Sequence, residues 1–371
     1  MIYLIGFALT YGLVWLCARR TPALADRFVC RKQAGGLIIQ KSRLQQRFAF
    51  LLAALPLFLI SALREGIGTD YYFTYTPRFL EILDGERTYY EIGFYWFNRL
   101  VGAFTSNPQW IFVTTSAVFI GFVFLAFYEN AEDLPFCIVT LLITGEYFVS
   151  LNNLRQAMAA AILLCGYRFL RQKQWISFAL LALFCSTLHQ SMLIFLAVLV
   201  LVIALDYIPL ERLLVLLTIG VALLLVLCHS STTLLRLFLP ERLVYYIEYA
   251  IFTQPTIGML RTLVNIALLA FLLFTRRRAN TCALDILIII QFLAVAICLF
   301  DSILPATYRI LRLFTFWQLL SLPLAVEQYS NRLGDRRIIQ WGLIAVLGFL
   351  CVYSLVFLGT EEILPYRSIF H

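Results

Sequence analysis

The sequence lacks the signatures of several large enzyme and transporter classes. It contains no P-loop, no G-x-S-x-G element and no zinc motif, and the missing P-loop argues against an ATP-driven pump. Its nine cysteines lie singly, without a C-x-x-C pair, and its three histidines form no cluster. We therefore expect no metal site, no cofactor and no disulfide framework, and we interpret the cysteines as small buried hydrophobic residues.

Charged residues are also scarce. They occupy 13% of the 371 positions, against about 25% in a soluble domain, whereas hydrophobic residues occupy 62%. Apolar runs long enough to cross a hydrocarbon core of about 30 Å recur along the whole chain. The sequence therefore predicts an all-α polytopic integral membrane protein with about twelve spans, at roughly 1–18, 48–63, 109–128, 134–149, 154–170, 175–188, 190–205, 211–228, 256–275, 282–300, 310–326 and 338–358.

The distribution of basic residues predicts the orientation. A net charge of +8 can indicate nucleic-acid binding, but topology explains it better, and we expect no nucleic-acid partner. The first run has no basic residue before it and Arg19-Arg20 after it, the reverse of a cleavable signal peptide, so we expect a span with its N-terminus outside. With that orientation, 18 of the 29 Lys and Arg residues lie on the inner side. The prediction depends on splitting 175–205 at His189, because a single span there would place Arg276-Arg277-Arg278 outside.

The expected outer segments are 64–108, 229–255 and the tail 359–371. The two long ones mix aromatic with charged residues, as helices on a membrane surface do. No Gly/Ser-rich or Pro-rich linker, low-complexity tract or clear internal repeat divides the chain. We therefore treat 1–371 as a single integral membrane domain.

One charged stretch follows directly on an apolar run, in SALREGIGTDYYFTYTPRF (61–79). Gly66 and Gly68 can adopt positive φ and allow backbone N–H groups to approach a ligand, and Thr69 or Asp70 can cap the next helix. The alternative is an ordinary helix end, turn and helix start, with Arg64 extending its charge to the interface.

A second charged stretch is SLNNLRQAMAAAILL, in which Asn152 or Asn153 caps a helix and Arg155 lies in its first turn. A cation there opposes the helix dipole, at a cost of about 0.3–1 kcal/mol. An anionic ligand or a buried carboxylate would remove the conflict. The alternative is an interfacial arginine paired with lipid phosphate.

Further ionisable residues fall on the predicted outer side. Arg309 and Arg312 share one helical face at the start of a span, although nearby Asp301 can pair with one of them, and Arg261 lies one turn inside another span. His189, between two short apolar arms, can be a general base or bind phosphate, or simply be a satisfied histidine at a helix break. Glu91 is a second outer carboxylate, with an ordinary interfacial charge as the alternative.

The order of these motifs resembles the EpsG family of bacterial polysaccharide polymerases, relatives of the Wzy O-antigen polymerases. The resemblance covers roughly residues 50 to 200, with a weaker similarity around Tyr308. The matching elements are Arg64, Gly68-Thr69-Asp70-Tyr71 with Tyr75, Glu91-x-Gly93, Asn152-x-x-Arg155-Gln156, His189-x-Ser191 and Tyr308-Arg309-x-x-Arg312.

The resemblance implies an integral-membrane glycosyltransferase of GT-C-like architecture in the bacterial cytoplasmic (inner) membrane. It would join undecaprenyl-diphosphate-linked oligosaccharide units on the outer side, with arginine charge replacing a metal at the diphosphate. Its partners would be membrane lipid and the chain-length regulator and flippase of the same pathway. The expected catalytic residues are Asp70, His189 and Glu91. Together with Arg261, the expected substrate-binding residues are Arg64, Gly68, Thr69, Tyr71, Tyr75, Asn152, Arg155, Gln156, Tyr308, Arg309 and Arg312.

Two other functions fit much of the pattern. A flippase for the same lipid-linked sugars would show repeat symmetry and charges on both halves of its cavity, whereas the sequence shows no repeat and its notable charges are mostly outer, which favours the enzyme. A ligase that moves finished glycan onto another acceptor shares nearly every feature and stays open.

Overall fold

The structure is a computed structural model that describes residues 1–19, 45–230, 257–301, 303, 307–329 and 332–370. These residues are largely helical, and the β-type contact among them is an isolated bridge between Arg64 and Ser368. Most of the predicted outer segment 229–255, and most of the basic stretch after the first apolar run, lie outside the described residues.

The helices are listed here in chain order. They are α1 (Ile2–Ala18), α2 (Gln45–Leu52), α3 (Leu55–Ala62), α4 (Thr76–Leu83), α5 (Ile92–Gly102), α6 (Gln109–Asn130), α7 (Leu134–Ile143), α8 (Glu146–Ser150), α9 (Leu154–Leu164), α10 (Tyr167–Arg171), α11 (Trp175–Leu188), α12 (Ile194–Ala204), α13 (Leu210–Ser230), α14 (Met259–Ala279), α15 (Asp285–Leu299), α16 (Thr307–Thr315), α17 (Gln318–Tyr329) and α18 (Leu333–Val352). A π-helical turn, Tyr71–Tyr75, leads into α4, and 3-10 turns occupy Gln190–Leu193 and Thr360–Glu362.

Four helices among the described residues are long and apolar enough to cross a membrane. They are Gln109–Asn130, Leu210–Leu227, Met259–Ala279 and Leu333–Phe357. The number rises to six if each of two bent pairs is one span, because α2 and α3 meet at 44° and α16 and α17 at 41°. Five further apolar helices have 10–17 residues, short of the ~20 that a span requires. The chain is a helical membrane protein, and the number of twelve spans stays a prediction.

Two of the predicted spans are interrupted by helix breaks. Gly145 ends α7 in the left-handed region, with φ of 78°, so the segment predicted at 134–149 is two helices. The segment predicted at 154–170 breaks after Leu164 into α9 and α10. Hydropathy does not reveal these breaks, because the residues on both sides are apolar. The helix boundary predicted at His189 is present, since α11 ends at Leu188 and His189 is extended.

The described chain forms two compact units. Unit 1 comprises Met1–Leu193 and Leu322–His371, and unit 2 comprises Ile194–Ser321. In unit 1, α6 packs against α3 and α9, and α1 packs against α3 and α7. Alanines on α9 allow it to approach α6 closely, and Ala159 and Ala161 are fully buried. In the same unit, α5 packs against α4 and α11, which fixes the segment between α3 and α6. Whether the chain is one domain stays a prediction.

Unit 2 is organised around α15, which packs against α12, α13, α14 and α16. Its interior holds three amide side chains, from Asn265, Gln291 and Gln318 on α14, α15 and α17. Asn265 Oδ1 accepts hydrogen bonds of 3.1 Å from both glutamines, and Gln318 also donates to Gln291 Oε1 at 3.1 Å. Because these bonds satisfy polar groups in an apolar environment, they tie the three helices together.

Candidate active site

A sharp turn in unit 1 presents Asp70. Gly68 has φ of 87°, and a Cβ at this position would lie 2.8 Å from Asn152 Oδ1, so the turn requires glycine on both counts. The Asp70 N–H donates to the same Asn152 oxygen at 3.0 Å, and Thr69 Oγ1 lies 3.3 Å from it. The side chain of Asn152 therefore crosses to this turn and holds it against the start of α9.

The Asp70 side chain makes no capping bond to the following turn. Its Oδ1 accepts a hydrogen bond from the Thr74 hydroxyl at 3.2 Å, and it forms no ion pair with the described residues. Asn153 occupies the N-cap position of α9 but likewise makes no capping bond. The expected caps at Asp70 and Asn153 are thus absent, because Thr74 and Asn152 provide the local polar contacts instead.

Arg64 is fully buried and lies apart from the Asp70 carboxylate. Its Nη1 donates to the Ser61 carbonyl and lies 3.2 Å from the hydroxyls of Ser61 and Ser116. The guanidinium carbon lies 5.1 Å from the centre of the Phe112 ring. Its Nε and Nη2 have no hydrogen-bond partner among the described residues, and burial lowers the pKa of Arg64 to about 10. This burial disagrees with the alternative in which Arg64 extends its charge to the interface, and the expected role of Arg64 in substrate binding is untested.

Glu91, Arg155 and His189 meet in unit 1. Glu91 Oε2 lies 2.5 Å from Arg155 Nη1, and Glu91 Oε1 lies 3.4 Å from His189 Nδ1 and accepts the Gln190 N–H at 3.1 Å. The Glu91 carboxylate therefore balances the charge of Arg155 in the first turn of α9. A carboxylate at this place is one of the two arrangements expected to remove the conflict between this cation and the helix dipole. We refer to Glu91, Arg155 and His189 as the outer triad, because the sequence predicts all three on the outer side of the membrane.

The charge of Glu91 is fixed by its neighbours. Burial alone would raise the pKa of this carboxyl group, but contacts with His189, Arg155 and the Gln190 N–H outweigh it and lower the pKa to about 2. A carboxylate with so low a pKa is a poor general base near neutral pH. Its geometry suits it to orienting Arg155 and His189.

Tyrosines surround the guanidinium of Arg155. Its carbon lies 4.7 Å from the ring centre of Tyr90 and 5.7 Å from that of Tyr89, distances at which a cation is attracted to the ring face. Tyr75 is 4% exposed and packs against Tyr90, and burial raises its pKa to about 12. The Tyr75 hydroxyl therefore remains protonated at neutral pH and can donate a hydrogen bond.

Two more predicted residues of unit 1 lie beside these groups. Tyr71 stacks on Phe112 with ring centres 4.0 Å apart, and its hydroxyl lies 2.6 Å from Gln109 Oε1. Gln109 in turn donates to the Ala62 and Arg64 carbonyls, so Tyr71 is tied to the end of α3. Gln156 follows Arg155 in the first turn of α9 and is half-buried.

The remaining predicted residues belong to unit 2. Arg309 Nε donates to the Tyr308 hydroxyl at 2.8 Å, and the guanidinium carbons of Arg309 and Arg312 lie 5.6 and 5.7 Å from the Tyr308 ring centre. Arg261 lies in α14, where its carbonyl accepts a 2.9 Å bond from Asn265 Nδ2. Asp301 accepts the Ile257 N–H at 2.8 Å and the Thr307 hydroxyl. The structure thus groups the Tyr308, Arg309 and Arg312 side chains on α16.

One polar contact of the site has no counterpart in the sequence prediction. Glu361, in the segment after α18, accepts a 2.6 Å hydrogen bond from Asn152 Nδ2. The two residues are 209 positions apart, and Glu361 belongs to none of the motifs. The only local feature of the sequence at Glu361 is that the residues around it show no helical periodicity.

Metal ligation has no candidate within the described part of the chain, where no three His, Cys, Asp or Glu side chains group together. In comparisons with known proteins, the model of the EpsG family matches residues 47–368. No curated protein and no solved structure matches the chain.

Proposed function

The chain belongs to the EpsG family, and from that premise we propose that it polymerises undecaprenyl-diphosphate-linked oligosaccharide repeat units into O-antigen, capsule or exopolysaccharide. Family membership points to a membrane-bound polysaccharide polymerase with glycosyltransferase-like chemistry. The lipid carrier and the repeat unit are the finer part of the proposal. They are supported by Arg155 with the tyrosines around it, which suit a sugar diphosphate.

The proposal rests chiefly on the arrangement of the outer triad. Glu91, Arg155 and His189 are separated by up to 98 positions in sequence, yet their polar atoms meet within 3.4 Å. Such a pairing of an arginine, a histidine and a carboxylate supplies positive charge, and the proton acceptor is either Asp70 or the histidine of the triad. These are the two requirements for attack by a sugar hydroxyl at an anomeric carbon with loss of a diphosphate.

In this proposal each residue has a separate role. Asp70, which forms no ion pair with the described residues, takes the proton from the acceptor hydroxyl as that oxygen attacks the anomeric carbon of the growing chain. Arg155 stabilises the diphosphate that leaves with its lipid, and a role of Arg309 and Arg312 in diphosphate binding stays a prediction from the sequence. The tyrosines bind the faces of the sugars. Glu91 orients Arg155 and His189.

One observation favours His189 as a second candidate for the base. Nδ1 of His189 faces Glu91 Oε1. A carboxylate at this position favours the tautomer that carries its proton on Nδ1, and the lone pair on Nε2 is then free to accept a proton. A base of this kind operates near neutral pH without a large environmental effect. Variants of Asp70 and His189 distinguish the two assignments.

The proposal also places the reaction outside the bacterial cytoplasmic (inner) membrane. It keeps the N-terminus outside, twelve spans and a GT-C-like architecture, and it requires no metal. The Lys and Arg bias supports this orientation. The chain-length regulator and flippase of the same pathway would be its partners.

Deletion of the gene, followed by a gel of surface polysaccharide, tests the function. Glycans carrying a single repeat indicate a polymerase, which is the expected result. Absence of surface polysaccharide would indicate a flippase, and long chains that remain unattached would indicate a ligase. Complementation with the wild-type gene must restore the ladder of long chains for the deletion result to count.

A further inference from the structure

The segment after α18 folds back onto the Asp70 turn. The Glu65 N–H donates to the Arg367 carbonyl at 3.1 Å, and the Ile369 N–H donates to the Leu63 carbonyl at 3.0 Å. Nearer the turn, the Gly68 N–H donates to the Glu362 carbonyl at 3.3 Å. These backbone bonds hold residues 359–370, which we call the return segment, alongside the residues that lead to Asp70.

Glu361 is placed within the return segment at a conformational cost. Its φ is 69° and that of Glu362 is 48°, both in the left-handed region that disfavours residues with a Cβ. Two consecutive glutamates in this conformation require support from their surroundings. The Glu361 side chain has that support, because its Oε2 lies 2.6 Å from Asn152 Nδ2 and 3.5 Å from Asn153 Nδ2.

The bond to Glu361 decides which way the Asn152 amide faces. An ionised carboxylate can only accept hydrogen bonds, so Asn152 must turn its NH₂ group toward Glu361. Its Oδ1 then faces the turn and accepts the Asp70 N–H at 3.0 Å. If the amide were reversed, its NH₂ group would face the Asp70 N–H, and two donors would oppose each other.

We propose that Glu361 is a positioning residue for Asp70 and acts through the orientation of the Asn152 amide. The structural relay runs from the Glu361 carboxylate through the Asn152 amide to the Thr69 hydroxyl and the Asp70 N–H. The inference rests on the proposed function only for what Asp70 does once it is positioned. Glu361 itself does not act on substrate in this proposal.

Reversing the polarity of the Glu361–Asn152 bond tests the relay. Asn152→Asp alone opposes two carboxylates, and Glu361→Gln alone replaces an acceptor-only carboxylate with an amide that no longer requires the Asn152 NH₂ group to face it. In the double variant, the new amide at 361 donates to the new carboxylate at 152, whose other oxygen still accepts the Asp70 N–H. We expect each single variant to shorten the surface polysaccharide and the double variant to recover most of the length, at equal protein levels in membranes.

Glu362→Gln is the matched control. Glu362 is the next residue along the chain, and its side chain is exposed and makes no hydrogen bond or ion pair with the described residues. We expect it to keep the wild-type ladder. A double variant as defective as the worse single variant would overturn the relay. So would three variants whose polymer falls only in proportion to their protein level, since that result describes a purely structural role.

Hydrogen exchange gives a readout that does not depend on activity. In the purified full-length protein, Glu361→Gln should speed exchange of the Asp70 amide several-fold, and Glu362→Gln should leave it unchanged. Equal exchange in wild type and Glu361→Gln would overturn the inference. If Asp70→Asn gives wild-type polymer, the proposed catalytic role of Asp70 is wrong. The exchange result still decides independently whether Glu361 positions the Asp70 backbone.

Discussion

Nη1 of Arg155 lies 2.5 Å from Oε2 of Glu91, across 64 positions of sequence. The contact joins the first turn of α9 to the residue that precedes α5. It gives the arginine a counter-charge where its own helix dipole disfavours a cation. Both side chains are about one-fifth exposed. Most of the surface of the pair is therefore buried, and a smaller part is accessible to solvent.

The geometry of this pair predicts that lysine cannot replace Arg155. The guanidinium bonds Glu91 with one nitrogen and lies over Tyr90 with its plane, whereas an ammonium group cannot do both. We expect Arg155→Ala to reduce polymerisation on the order of 10–100-fold, since loss of one partner of a partly buried pair costs about 1.4–3 kcal/mol. Arg155→Lys should remain impaired, as measured by polysaccharide chain length at equal protein level.

Arg87→Ala is a suitable control for these variants, because Arg87 is an exposed arginine in the same segment as Glu91 and forms no ion pair with the described residues. It should keep the wild-type chain length. Normal chains from Arg155→Ala at the wild-type protein level would remove Arg155 from the site.

The low pKa of Glu91 predicts how acid affects stability. The pKa of its carboxyl group lies near 2 in the folded protein, below the ordinary value of 4.5, so ionised Glu91 stabilises the folded state. This contribution is complete above about pH 4.5 and is lost as pH falls toward 2. We expect Glu91→Gln to lower the unfolding temperature in detergent at pH 7 and 5 equally, with a smaller difference at pH 3.

The exposed Glu86, which forms no ion pair with the described residues, provides the comparison. Glu86→Gln should change the unfolding temperature little at any of these pH values. A Glu91→Gln difference that grows on acidification would contradict the sign of the effect.

Asp70→Asn separates catalysis from the shape of the turn. The amide keeps the size of the side chain and an oxygen that accepts from the Thr74 hydroxyl, but it removes the negative charge. We expect this variant to accumulate single-repeat product at normal protein level. General base catalysis contributes about 10²–10⁴-fold, so the loss of long chains should be nearly complete.

His189→Ala is the companion variant. It should weaken polymerisation less than Asp70→Asn does, because His189 has a supporting place in the outer triad. If Asp70→Asn made full-length polymer and His189→Ala did not, the base would be His189, and Asp70 would be left with a role in the turn.

Thiol labelling in intact cells tests the orientation. In a cysteine-free background, Glu86→Cys should react with a membrane-impermeant reagent, whereas Gln172→Cys and Arg277→Cys should not. All three positions are exposed, so a thiol introduced there is accessible to the reagent. Labelling at 172 and 277 with protection at 86 would invert the membrane topology and place the outer triad on the cytoplasmic side.

The sequence nominated individual residues of unit 1 but did not predict which of them contact each other. Glu91, Arg155 and His189 were nominated separately, and the structure joins them. The pairing could not be read from spacing, because it depends on how α5, α9 and α11 pack. The nominated residues of unit 2, such as Arg309, have structural neighbours in their own unit, and their roles stay predictions.

Arg64 shows the limit of reading a charge from its position beside an apolar run. Such a position favours a side chain that reaches the interface, yet the guanidinium is buried against Ser61, Ser116 and Phe112. Its serine partner on α6 lies 52 positions away and carries no distinguishing pattern. The helix breaks at 144–145 and 165–166 were missed for a related reason, since hydropathy is insensitive to backbone conformation.

The return segment has a consequence for how the protein is made. Unit 1 is discontinuous in sequence, with unit 2 inserted between its two parts. The ribosome therefore releases the Asp70 turn and the outer triad early, and it adds Glu361 only after 209 further residues beyond Asn152. Throughout that interval the nascent chain contains the Asp70 turn and Asn152 but lacks the Glu361 carboxylate that orients the Asn152 amide. Order of translation thus delays completion of the turn until the second unit has been synthesised, so a prematurely terminated chain would enter the membrane with an incompletely supported site.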